Sequence, residues 1–155
     1  MSLDAIINKH VVYVYDNDWK YEAWYKSANR IVYKIHSGPM GGRSNYQECS
    51  MRAIREDIFM ISWIEETGTV VTTVVDLTQK RIHSYINFSK NHWQQPNIAH
   101  GHYLKDAWRE LAKVDSSKGE TLTTDRKIVS ESADIVEIFD GPGDLEDIDP
   151  NAPTL

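Results

Sequence analysis

Four side chains stand out for what their types and spacing could do. Tyr13 and Tyr15 lie two apart in His10–Tyr15, so an extended backbone turns both phenols to one face. Glu65 closes a row in which Phe59, Ile61 and Trp63 alternate with Ile58, Met60, Ser62 and Ile64. A carboxyl group that continues a large aromatic row into a buried face has its charged form disfavoured, which would raise its pKa and make it a proton donor near neutral pH. The same residue also fits the solvent-exposed end of a strand beside Glu66-Thr67-Gly68-Thr69. Arg43 follows Ser37-Gly38-Pro39-Met40-Gly41-Gly42, whose glycines allow a tight bend at the mouth of a sheet. There its permanent cation could meet a carboxylate or serve as a surface charge.

Positioning such groups requires strands. From His10 to Phe88, short runs rich in Val, Ile, Tyr, Thr and Trp recur between turn residues, predicting strands at His10–Tyr15, Lys20–Lys26, Arg30–Ser37, Arg43–Ile54, Ile58–Glu65, Val70–Asp76 and Arg81–Phe88. Asn17-Asp18 and Ser27-Ala28-Asn29 are hairpin-length links, which implies an antiparallel, sequentially connected sheet. Ala107, Leu111 and Val114 predict one helix near Leu104–Val114, Asp115–Thr124 reads as a loop, and Ala133–Phe139 as a last strand. Closing a meander of this size into a barrel removes its edges and leaves room for one small ligand; a flattened sandwich is the alternative. Tyr21, Ala23 and Tyr25 share one face of the second strand, as Ile31, Tyr33 and Ile35 do of the third. Such a tyrosine-rich lining serves packing as readily as chemistry.

The chain has 155 residues, 41% hydrophobic and 26% charged, with one cysteine and a net charge of −6. These values fit residues 1–155 as one domain needing neither disulfides nor a structural metal. The negative charge and lack of a basic patch argue against a nucleic-acid partner, and no apolar run is long enough to span a bilayer. Without a secretory signal, and with Cys49 alone, a cytoplasmic protein is expected. The acidic residues from about 140 onward, Asp140, Asp144, Glu146, Asp147 and Asp149, read as a solvated tail. His100-Gly101-His102 could aim two imidazoles one way, but no third ligand follows at a recognisable spacing, so no metal site is expected. Cys49 reads as an inert thiol.

The stretches HVVYVYDNDWKYEAWY, YKIHSGPMGGR and ISWIEETGT, in this order and with these gaps, resemble the bacterial phenolic acid decarboxylases. RIHSYINFSKNHWQQP and ADIVEIFDGPGDLEDIDPNAP match more loosely. The resemblance implies an all-β, lipocalin-like antiparallel barrel flanked by short helices, usually a homodimer. It also implies cofactor-free conversion of para-hydroxycinnamic acids (p-coumaric, ferulic, caffeic) to vinylphenols. Carried over by position, the paired tyrosines are Tyr13 and Tyr15, the arginine Arg43 and the catalytic glutamate Glu65. Tyr21, Tyr33 and Thr69 match cavity-lining positions, and Trp63 in the same motif joins them as a substrate-binding candidate. Departures are Ser44 where the family commonly has Trp, the run Asn87–Trp93, and Pro96–Val114, so the resemblance bounds the reaction more narrowly than the substrate. Other readings of the same residues are another acid–base reaction on a conjugated metabolite, or a non-catalytic barrel binding an aromatic acid.

Overall fold

Alternating apolar and polar residues do make a succession of strands between Lys9 and Phe88. The computed structural model describes residues 1–121 and 125–155. Its strands are β1 (Lys9–Tyr15), β2 (Lys20–Ser27), β3 (Arg30–Ile35), β4 (Arg43–Glu48), β5 (Ser50–Ala53), β6 (Ile58–Ile64), β7 (Val70–Asp76), β8 (Arg81–Phe88), β9 (Gly101–His102) and β10 (Lys127–Asp140). They form one sheet in the order β5-β6-β7-β8-β10-β1-β2-β3-β4-β9, antiparallel except for the short β4–β9 pair.

Two features of this order explain the shape. Cys49 alone separates β4 from β5, yet these strands lie near opposite ends of the sheet. One short piece of chain can serve both ends only if the twisted sheet curls back on itself. The result is a lipocalin-like barrel, as the resemblance implies, left incomplete with β5 and β9 at its ends rather than fully closed or flattened into a sandwich, and the predicted polar strand Arg43–Ile54 is two strands broken at Cys49. In addition, β10 runs between β8 and β1, pairing Lys127–Asp134 with the first and Ala133–Asp140 with the second. The meander is therefore not purely sequential: its last strand joins two four-stranded meanders. At 14 residues that strand is twice the predicted Ala133–Phe139, because its first half is too polar and exposed to advertise a strand.

The predicted helix Leu104–Val114 is instead a short helix and a tighter turn. After α1 (Lys90–Gln94) and a 3₁₀ turn at Pro96–Ala99, α2 spans only Lys105–Trp108 and continues as a 3₁₀ turn, Arg109–Ala112. Lys105, Trp108 and Leu111 are the buried residues of this segment, while Ala107 is exposed and Val114 is 39% exposed. A three-residue spacing of inward side chains suits three residues per turn, which is the 3₁₀ geometry. Of the predicted loop Asp115–Thr124, residues 116–118 form another 3₁₀ turn and 122–124 lie outside the described residues. No described helix is long and apolar enough to cross a membrane.

Phe59, Ile61, Val75, Ile82 and Ala133 pack inside the curl. Outside it, the acidic C-terminal segment is not a free tail: Leu145, Ile148 and Ala152 cover Trp24, Val32 and Tyr46, and Lys26 pairs with Asp147 at 2.6 Å. Its charges suit solvent, but its interspersed apolar residues decide where it lies.

Candidate active site

The concave face of the sheet holds a cavity. Tyr13, Tyr15, Tyr21, Tyr33, Arg43, Trp63, Glu65 and Thr69 all line it, together with apolar side chains such as Ile31, Val71, Ile86 and Phe88. The eight residues singled out in the sequence therefore meet at one place, and both open alternatives resolve inward: Glu65 is 6% and Arg43 1% exposed.

The polar lining falls into two groups. On β1 and β2 the rings of Tyr13, Tyr15 and Tyr21 meet with centroids 5.1–5.9 Å apart, mostly edge to face. Tyr15 donates to Ser84 Oγ at 2.7 Å. The Tyr21 hydroxyl is buried without a hydrogen-bond partner. Burial is the leading cause that raises all three phenols, Tyr15 to about 12, so they are proton-bearing donors at neutral pH.

The second group surrounds Glu65. This residue follows β6 directly, where its N–H donates to Thr69 O at 2.8 Å and the Gly68 N–H closes the turn on Glu65 O at 2.8 Å. Gly68 takes φ +80°, and an added Cβ would sit 3.3 Å from that of Ala112. The turn thus needs glycine both for its left-handed backbone and for space. One carboxylate oxygen accepts from Tyr33 at 2.6 Å and Trp63 Nε1 at 3.3 Å; the other accepts from Arg43 Nη2 at 2.9 Å and Thr67 Oγ1 at 3.2 Å.

Four converging donors suit an ionised carboxylate. Burial, the largest single influence, pushes the Glu65 pKa up, but the Arg43 charge, His92 and the hydrogen bonds from Tyr33 and Trp63 outweigh it and hold the group below its ordinary value. The sequence expectation of a raised pKa is corrected accordingly. Alternation along β6 reports burial, which is one side of the balance, and says nothing of a cation on another strand.

Arg43 is itself shared. Its Nη2 also donates to Glu66 Oε1 at 3.1 Å, and its guanidinium stacks on the Trp108 ring at 4.3 Å. The fully buried Glu66 carboxylate accepts further from Asn45 Nδ2 at 2.6 Å, Gln47 Nε2 at 3.1 Å and Lys105 Nζ at 3.0 Å. Burial lowers the Lys105 pKa to about 8 against the pull of Glu66. Two cations and two carboxylates form a balanced cluster behind the cavity, an arrangement that buried charges require.

The sequence reading missed Glu66, Lys105, Asn45, Gln47, Ser84 and His92. Asn45 and Gln47 follow Arg43 at intervals of two on β4 and were legible as sharing its face. Glu66 was not, because in a continuing strand it would face away from Glu65; the turn brings both inward. Lys105 and His92 come from the segment between β8 and β10, where no periodicity points to them. Among the described residues no three His, Cys, Asp or Glu side chains converge as metal ligands, and His100 instead lies 3.3 Å from Pro39 O. The buried Cys49 thiol is pushed up to about 12 by burial and is no ready nucleophile.

Residues 3–154 match the family model "Phenolic acid decarboxylase (PAD)". The chain is 33% identical over 152 residues to the phenolic acid decarboxylase PadC of Bacillus subtilis, spanning 97% of this chain and 92% of that protein. It is 35% identical over 90 residues to a protein of Vibrio cholerae named "Probable phenolic acid decarboxylase", spanning 57% of this chain and 52% of that one. A Burkholderia vietnamiensis structure described provisionally as a beta-lactamase superposes with a TM-score of 0.53 over 84% of this chain and 95% of its own, at 14% identity. At that identity the likeness concerns the fold alone.

Proposed function

The chain belongs to the phenolic acid decarboxylase family, and on that premise we propose that it converts para-hydroxycinnamic acids such as p-coumaric, ferulic and caffeic acid to vinylphenols and carbon dioxide without a cofactor. The observation that carries this reading is a buried acid, Glu65, held by Arg43 and Tyr33 in an aromatic cavity that also presents three phenols. A carrier gains nothing from a carboxyl group beside an anionic ligand, whereas an acid catalyst needs one.

A para-hydroxycinnamate supplies its own electron sink. Electrons pass from the phenolate oxygen through the ring to the alkene, and the carbon bearing the carboxylate takes a proton from Glu65, giving a quinone methide. The bond to the carboxylate then breaks, its electron pair restores the alkene and the aromatic ring, and carbon dioxide leaves. Arg43 orients the substrate carboxylate, with Trp63 and Tyr33 beside it. Tyr13 and Tyr15, with Tyr21, stabilise the phenolate.

Glu65 is ionised in the free protein, so it takes up a proton from solvent as the substrate binds, balancing the one the substrate phenol releases on ionising; the vinylphenolate product is reprotonated by solvent. The arriving carboxylate adds negative charge beside it and competes for Arg43, and both effects raise its proton affinity. Product departure restores the Arg43–Glu65 pair.

The test is a panel of hydroxycinnamic acids, followed by loss of substrate absorbance and evolved carbon dioxide. Turnover of p-coumaric and ferulic acids, undiminished in chelator-treated protein, is expected. Cinnamic acid, without the para-hydroxyl, should bind and stay intact. Comparable turnover of cinnamic acid, or activity that returns only with added metal, would refute the mechanism.

A further inference from the structure

His92 stands on α1 and lines the same cavity. It is 1% exposed, and its Nε2 is buried without a hydrogen-bond partner. Its Nδ1 lies 2.7 Å from Thr69 Oγ1, and the edge of the ring meets Phe88 with centroids 5.4 Å apart. The imidazole is thus held through Nδ1 and by Phe88, while Nε2 has no partner.

The Thr69 hydroxyl decides which nitrogen bears the proton. Its oxygen already accepts from the Ser89 N–H at 3.3 Å, and the acceptor at hand for its own hydrogen is His92 Nδ1. Nδ1 is then the acceptor, and the ring hydrogen resides on Nε2. Burial, the leading cause, lowers the His92 pKa to about 4 although Glu65 opposes it, so the ring is neutral at physiological pH. A neutral N–H left unbonded on a residue that lines a cavity is a donor prepared for a ligand oxygen.

We propose that His92 is a substrate-binding residue whose Nε2–H donates to the carboxylate of the aromatic acid, beside Arg43 and Glu65. This rests on the decarboxylase reading for the ligand class. A neutral donor suits a carboxylate that must later leave as uncharged carbon dioxide, because a second cation would hold the ground state more strongly than the departing group.

The test uses 3-phenylpropanoic acid and 3-(4-hydroxyphenyl)propanoic acid, saturated analogues with no alkene to protonate. In wild-type protein labelled with ¹⁵N-histidine, His92 should show the Nε2–H form at pH 7, with its Nε2 resonance shifting when either acid is added. His92→Leu should raise Kd for both acids about tenfold, the loss of one hydrogen bond to a charged group, and His92→Gln should recover most of it. An Nδ1–H form, unchanged Kd in His92→Leu, or a loss confined to the hydroxylated acid would overturn the assignment; the NMR reading needs no variant to fold. Wild-type protein that binds both acids but does not decarboxylate p-coumarate would overturn the reaction and leave His92 standing. Protein that binds neither would overturn both.

Discussion

Replacing Glu65 by Gln keeps the side chain's length and removes the proposed acid. The cluster holds Arg43 and Lys105 against Glu65 and Glu66, so the variant carries one excess positive charge beside the substrate carboxylate. Arg43 stays anchored by Glu66 and by the Trp108 ring, and Tyr33 and Trp63 can reorganise around the amide. Affinity for a hydroxycinnamate should therefore hold or improve while kcat falls by a factor of about 10² to 10⁴, or about 3–5 kcal/mol of barrier. Steady-state kinetics by absorbance, with circular dichroism to verify folding, gives both numbers. The pH profile adds an independent check. In wild type, kcat/KM reports the free protein, where Arg43 holds Glu65 low, and kcat reports the complex, where the substrate's charge raises it. After correction for substrate ionisation, the kcat profile should fall off at higher pH than the kcat/KM profile. Stability carries the opposite sign: a depressed carboxylate pKa contributes stability above its unfolded value of about 4.3, which is lost as pH falls through the folded value. The stability difference between wild type and Glu65→Gln should thus shrink below about pH 4. Near wild-type kcat in Glu65→Gln, or coincident profiles, would refute the proton-donor role.

Tyr13→Phe and Tyr15→Phe should each lower kcat by about 100- to 1000-fold, the usual loss for one donor to a developing oxyanion; unchanged kcat in both would move the phenolate elsewhere. Lys105→Met leaves buried Glu66 without its second cation and should cost about 3 kcal/mol, a fall of about 6–12 °C in Tm by calorimetry. An unchanged Tm would make that pair dispensable. Gly68→Ala forces a Cβ into a left-handed backbone 3.3 Å from Ala112 Cβ, so both Tm and kcat should drop because the same turn carries Glu65. Normal kcat in a destabilised Gly68→Ala would uncouple the turn from the chemistry.

Much of the fold was legible because its signals are local. Period-two alternation in His10–Tyr15 set Tyr13 beside Tyr15, and the row Phe59, Ile61, Trp63 led to Glu65; both depend on neighbours a few residues away. Tertiary structure decided the rest, wherever the outcome turns on groups distant in sequence. The helix expected from Ala107, Leu111 and Val114 became α2 and a 3₁₀ turn because Lys105 and Trp108 answer to Glu66 and Arg43, on other elements. The acidic tail lies on the barrel because Leu145 finds Trp24, Val32 and Tyr46. For Glu65 the alternation left burial and an exposed strand end both open, and burial taken alone gives the wrong sign of pKa shift. A carboxylate's proton affinity is a sum over every nearby charge and donor, and the largest opposing contribution comes from Arg43, 22 residues away and 2.9 Å distant only once the sheet has curled.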